Sequence, residues 1–146
     1  MKPVALLDTN IWVSALLNKD GLPACVVQAW RDDAIDLVTA LPLLEEIGEV
    51  LRRPRIKKKY RIEDEEIVQY LELIAARSAV VPIAGKIKLC RDPDDDAQLE
   101  AAIAGGAKYL VTRDDDIKRD LGVIREMKRH GIRVVSVSRF LGTLRA

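Results

Sequence analysis

The chain has 146 residues, 49% of them hydrophobic but only 4% aromatic, and a formal net charge of +1. That length and burial capacity predict one domain over residues 1–146 with an aliphatic core, and they exclude a disordered chain. The near-neutral balance excludes a general attraction for nucleic acid, no apolar run approaches the ~20 residues of a membrane span, and no leader-like segment precedes Asp8, so a cytoplasmic protein is expected.

In chain order, Val4-Ala5-Leu6-Leu7 is continuously apolar, as a buried parallel strand is, and predicts a strand over residues 3–7. Thr9 and Asn10 are good caps for a helix through Leu17. Asn18-Lys19-Asp20-Gly21 reads as a turn, and Pro23 opens a helix carrying Val26, Val27, Ala29 and Trp30. Residues 36–39 form a brief second strand. Pro42 opens a helix that runs to about Arg53 and ends at Pro54. Glu63 to Ala76 is a further helix, with Ile67, Tyr70, Leu71 and Ile74 on one face. Residues 80–83 form a third strand, at an edge because of Pro82. A helix begins at Asp92-Pro93 and ends at Gly105-Gly106, followed by a fourth strand over 108–111. One helix from about Ile117 to His130 is closed by Gly131. Residues 132–137 are the last strand, and Ser138 caps a short terminal helix. The alternation predicts an α/β fold whose parallel sheet is covered on both faces. Cys25 and Cys90 show no metal-type spacing and read as thiols rather than a disulfide.

Carboxylates gather where strands end. Asp8 directly follows the first strand, and Thr112-Arg113-Asp114-Asp115-Asp116 directly follows the fourth. The carboxyl ends of strands in a parallel sheet are where ligands bind. Asp8 reads as a metal ligand, since Thr9 and Asn10 already offer the cap. In the third helix Leu43, Leu44, Ile47, Val50 and Leu51 form the apolar stripe, and Glu46 lies roughly 100° from its centre, bordering the buried face. Glu45 and Glu49 point to water. Glu46 is either a site acid or a surface residue at that border. In Arg91-Asp92-Pro93-Asp94-Asp95-Asp96, Asp92 fits a helix cap. Asp95 lies closest to the inner side of that helix and Asp96 next, so Asp95 is the first choice of ligand and Asp96 the reserve. Asp114 is a further ligand, Asp116 a second ligand or a cap, and the Thr112 hydroxyl is placed to hold a carboxylate or a water. Acids converging on one edge repel one another, and hard oxygen donors suit Mg²⁺ or Mn²⁺.

Together, Leu7-Asp8-Thr9-Asn10, the helix Leu43-Leu44-Glu45-Glu46-Ile47, the run 91–96 and Leu110-Val111-Thr112-Arg113-Asp114 resemble the PIN-domain nucleases. The branch most similar is that of the toxins of toxin–antitoxin pairs of the VapC type, and the likeness covers nearly the whole chain. It implies a three-layer α/β/α sandwich around a parallel sheet and Mg²⁺- or Mn²⁺-dependent endoribonuclease activity. Carried onto this sequence, the catalytic acids are Asp8, Glu46, Asp95 and Asp114, with the third falling on Asp95 or Asp96. Thr9, Asn10 and Thr112 support them. Many relatives carry an aromatic residue where this chain has Ile117. With in-line attack by a metal-oriented water, the expected products carry a 5′-phosphate and a 3′-hydroxyl. An antitoxin is an expected partner.

The strongest basic segment contains Arg52, Arg53, Arg55, Lys57, Lys58, Lys59 and Tyr60, which reads as an RNA grip with a ring for base stacking or as a solvated connector. Arg113 stands beside the acids, to steady a phosphate or balance charge. Cleavage by a histidine pair is excluded, since His130 is the only histidine. An aspartyl-phosphate mechanism is disfavoured because Asn10 replaces the second acid of an Asp-x-Asp pattern. Dinucleotide binding is disfavoured because no Gly-x-Gly-x-x-Gly follows the first strand. The rival of a different class is a non-catalytic RNA-binding or regulatory module. Trp12, Leu16, Leu17, Val26 and Trp30 read either as ordinary core packing or as more than one small core needs, in which case part of them forms a homodimer or antitoxin-binding surface.

Overall fold

The computed structural model describes residues 2–145, with the side chains of Asp115 and Asp116 outside the description. The uninterrupted apolar runs become strands buried on both faces, and the periodic segments between them become helices. The order is β1 (Val4–Leu7), α1 (Thr9–Leu17), α2 (Leu22–Arg31), β2 (Asp36–Thr39), α3 (Leu41–Leu51), α4 (Pro54–Tyr60) and α5 (Asp64–Arg77). There follow β3 (Ala79–Val80), α6 (Pro93–Ala104), β4 (Tyr109–Val111), α7 (Asp115–Lys118), α8 (Leu121–Arg129), β5 (Arg133–Val135) and α9 (Val137–Arg145).

The five strands pair in parallel in the order β3-β2-β1-β4-β5. The chain steps outward from β1 through β2 to β3, then returns to the other side of β1 to lay down β4 and β5. The order therefore reverses between β1 and β4, and the carboxyl ends of the strands at such a switch point are where an open α/β sheet binds its ligands. Leu6 is paired with Leu110 and Leu7 with Val111, so Asp8 and Thr112 emerge level with each other.

Side chains alternate across β1. Ala5 and Leu7 face a core built with α1, α2, α3, α5 and α9, while Leu6 faces a second core built with α6, α7 and α8. Two apolar layers separated by one sheet make the three-layer α/β/α sandwich. The first core is not purely aliphatic: Trp12, Trp30 and Phe140 are its largest fully buried side chains. Trp12 and Trp30 meet edge to face at 5.0 Å, and the buried Tyr70 hydroxyl donates to the Trp12 carbonyl at 2.6 Å. Trp12, Val26 and Trp30 therefore face inward, which removes them as an apolar subunit surface. Only Leu16 and Leu17 of that group are partly open.

Four boundaries differ from the sequence expectation. Pro54 starts a helix as well as ending one, because its fixed φ and missing N–H suit the first helical turn. β3 is cut to Ala79–Val80, with Pro82 outside it, although it does occupy an edge. The helix expected over 117–130 breaks at Asp120, whose side chain caps α8 by accepting from the Val123 N–H at 3.1 Å. The cap of α9 is Ser136 rather than Ser138, with its hydroxyl accepting from the Arg139 N–H at 3.2 Å.

Gly105 lets the end of α6 lie on β2. A Cβ there would stand 2.2 Å from Val38 Cγ1, so any side chain would push α6 off the sheet. Among the described residues no helix is long and apolar enough to cross a membrane.

Candidate active site

Asp8 is the fixed point of the site. It is only 3% exposed. Its backbone N–H continues the β1–β4 ladder by donating to the Val111 carbonyl at 2.9 Å. Its side chain caps α1, so the capping role falls on Asp8 itself and not on Thr9 or Asn10: Oδ1 accepts from the Asn10 N–H at 3.2 Å. Oδ1 also accepts from Gln98 Nε2 at 3.1 Å, and Oδ2 accepts from the Thr112 hydroxyl at 2.7 Å. These donors hold a buried carboxylate in one orientation without neutralising it by a cation. The Thr112 oxygen in turn accepts from the Asp114 N–H at 2.9 Å, tying the turn after β4 to the end of β1.

Glu46 comes from α3 and Asp95 from the first turn of α6. Both are half-buried, with few donors. Burial, followed by the nearby carboxylates of Asp94, Asp8 and Asp92, pushes the Glu46 carboxyl up to about 7. The Thr9 hydroxyl tempers that rise; it is buried and completes no full hydrogen bond. Burial also raises Asp95 to about 7, reinforced by Asp114, Asp92, Asp8 and Glu46. Asp95 therefore lies within reach of the charges of Asp114, Asp8 and Glu46, and Glu46 within reach of Asp8, near the carboxyl ends of β1 and β4. The raised values fall on the two acids that come from helices, through burial first and neighbouring charge second.

The remaining acids divide by what they touch. Asp92 caps α6, accepting from the Asp94 N–H at 2.9 Å. Asp96 is engaged elsewhere: its Oδ1 accepts from the N–H groups of Leu89 and Cys90 at 2.9 and 2.8 Å, pinning the loop that leads into α6. One turn further along, Glu100 accepts from the N–H groups of Ala84, Gly85 and Lys86. Of the two alternatives for the third acid, Asp95 is the one whose carboxyl is raised by Asp8 and Glu46 among others, while Asp96 is taken up by the loop. Asp116 as ligand or cap lies outside the described residues. Asn10 contributes its backbone N–H, while its side chain is exposed.

Gln98 was not read from the sequence. It is 2% exposed, it grips Asp8 through Nε2, and its Oε1 is buried without a partner. Its position three residues after Asp95 places both on one face of α6, which is the one signal the sequence carried.

The basic residues stand on α4 and its flanks. Lys57 is bound to Asp64 at 2.6 Å, whereas Arg53, Arg55 and Lys58 are exposed. Arg52, Lys57 and Lys58 line an open cleft at the start of α4. Tyr60, at the far end of that helix, reaches a different cavity, which it shares with Arg113. Lys59 Nζ lies 5.3 Å from the Tyr60 ring centre. Arg113 Nη1 donates to the Ser14 hydroxyl at 3.1 Å.

The site's donors suit a hard divalent cation in kind and in charge. They are carboxylate and amide oxygens, two of the carboxyls are raised by burial and then by neighbouring negative charge, and the Gln98 Oε1 is an orphaned buried acceptor beside Asp8. Among the described residues no three acids are closed around one point as a metal cage. The fit is therefore one of donor type and electrostatics.

Residues 4–116 match the family model described as PIN domain. An uncharacterized protein of Methanocaldococcus jannaschii is 27% identical over 117 residues, spanning 80% of this chain and 74% of that protein. PIN domains are generally metal-dependent nucleases.

Proposed function

The chain belongs to the PIN-domain family, and on that premise we propose that it is a Mg²⁺- or Mn²⁺-dependent endoribonuclease. The observation that carries this reading is the cluster of Asp8, Glu46, Asp95 and Asp114 at the sheet's switch point, with Glu46 and Asp95 raised to about 7. Negative charge concentrated at that cost marks a functional site rather than a structural one. Asp8, Asp95 and Asp114 would hold the ion. When bound, a divalent ion supplies an activated water and offsets charge on the phosphate. Asp8, held by Gln98, Thr112 and Asn10, sets the geometry. Glu46, with its carboxyl near 7, can accept or return a proton at neutral pH. Arg113 and the cationic flank of α4 hold the RNA backbone.

The finer assignment is the toxin of a toxin–antitoxin pair, acting in the cytoplasm as a homodimer with an antitoxin partner; it rests on the likeness of the four motifs to that branch. A competing reading, a non-catalytic RNA-binding module, draws on the acids not being closed around one point. Cleavage of labelled single-stranded and transfer RNA with Mn²⁺, Mg²⁺ or EDTA, beside the Asp8→Asn variant, separates the two. Turnover that requires both metal and Asp8 supports the nuclease. RNA binding without turnover under any metal supports the module.

A further inference from the structure

We propose that the cavity beside the acidic turn is a nucleobase subsite, which takes one unpaired base of the same RNA strand that is cut at the acid cluster and so imposes sequence preference. The inference rests on the nuclease reading above and adds to it the part of the substrate that is read. α1 begins at its cap Asp8 and ends at its cap Asn18. At 1.5 Å per residue, Ser14 stands roughly 9 Å along the axis from Asp8. There the end of α1, the turn into α2 and the end of α4 leave a cavity of about 430 Å³, lined among others by Ser14, Leu17, Asn18, Pro23, Tyr60 and Arg113. That is a volume typical of small-ligand sites.

Each wall supplies something a base requires. Tyr60 is 39% exposed, belongs to neither core and lines the cavity, with Lys59 Nζ 5.3 Å from its ring centre; an exposed ring of this kind is what an unpaired base stacks on. Arg113 lies between Thr112, which holds Asp8, and Asp114, and its guanidinium reaches Ser14 inside the cavity. One side chain thus joins the place of cleavage to the pocket, and its plane can stack on a base or meet the adjoining phosphate. The Asn18 Oδ1 accepts from the Asp20 N–H at 3.2 Å, while Nδ2 lies over Gly21, where a Cβ would approach to 3.1 Å. Gly21 therefore keeps space for an amide donor that can meet a base edge. Leu17 and Pro23 give the apolar floor. Sequence-specific readers of RNA act on unstacked bases held in this way, by a ring, a guanidinium and a few polar groups. The cationic flank favours an RNA strand over a basic peptide as the occupant.

The test uses the full chain carrying Asp8→Asn and single-stranded RNAs with 2-aminopurine placed at successive positions around the bond that the unmodified protein cleaves. One position is expected to change its fluorescence several-fold more than its neighbours. Tyr60→Ala should remove that signal and Tyr60→Phe should retain it, which separates loss of stacking from loss of folding. In a chain that keeps Asp8, Asn18→Ala should abolish the base preference of cleavage at that position. Equal signals at every position, or a signal that survives Tyr60→Ala, overturn the subsite while the nuclease reading stands. Absence of both binding and cleavage by the unmodified protein with Mn²⁺ overturns both.

Discussion

Two regions of one site place the same functional group in opposite surroundings. Asp8, at the end of the central strand, is almost sealed from water and receives hydrogen bonds from Asn10, Gln98 and Thr112. Glu46 and Asp95, on the neighbouring helices α3 and α6, are half-buried, and burial and neighbouring acids raise both to about 7. The strand-borne acid is given three donors by the fold, whereas the rise of Glu46 is tempered by the Thr9 hydroxyl alone. The difference teaches that a sheet edge can fix one carboxylate through its own ladder and turns. Further acids brought in by separate layers arrive with less compensation, and on the reading proposed above a bound cation would make up that shortfall.

The hardest test of the fixed acid is Asp8→Asn. An amide there turns one acceptor into a donor facing Thr112 or Gln98, and cleavage measured with Mn²⁺ should fall on the order of 10³-fold. Next comes its support. Gln98→Ala and Thr112→Val leave all four acids in place but free the Asp8 carboxylate to turn. Metal affinity by calorimetry, or turnover, should drop about 10- to 100-fold, the usual cost of losing a group that orients a metal ligand. If both variants kept full affinity, the contrast between fixed and poised acids would lose its meaning.

The helix-borne acids are tested by pH. Their folded pKa values are raised from 4.5 for Glu46 and 3.8 for Asp95 to about 7. In EDTA the folded chain therefore holds more protons than the unfolded chain across that interval. The stability they contribute is complete below about pH 4 and is lost as pH rises towards 7. A Glu46→Gln/Asp95→Asn double variant should gain on the unmodified protein through that window, by on the order of 1–2 kcal/mol after allowance for solvent screening, in urea midpoints. Saturating Mn²⁺ should reverse the order. The smallest expected effect is that of Asp96→Asn, which weakens the hold on the Leu89 and Cys90 N–H groups and should cost about 1 kcal/mol in urea while leaving Mn²⁺ affinity almost unchanged. A loss of affinity as large as that of Asp95→Asn would return Asp96 to the ligand set.

Local rules wrote much of this into the sequence. β1 and β4 could be read because a strand buried on both faces has no polar interruption until it leaves the sheet, and there Asp8 and Thr112 stand. The half-burial of Glu46 followed from the 3.6-residue period of α3. Other features depend on contacts distant in sequence. The wheel placed Asp95 and Asp96 almost equally, and what separates them is the 81–92 loop crossing α6, where Leu89 and Cys90 occupy Asp96. The reach of Gln98 to Asp8 spans two layers of the sandwich. The break at Asp120 was hidden because buried apolar residues, Ile117, Val123 and Met127, continue on both sides of it.

The edges of the sheet bear on how the protein behaves when crowded. β3 offers two residues and β5 three, beginning with Arg133, so a neighbouring chain finds almost no free ladder to extend. Strand addition is a common route from a soluble α/β protein to a fibre or precipitate, and short edges with a cation upon them oppose it. A chain that is 49% hydrophobic and close to net neutrality has little colloidal repulsion to rely on. Lengthening β3 by a few β-branched residues in place of Pro82 and its neighbours would remove that protection, and aggregation would then precede any loss of fold.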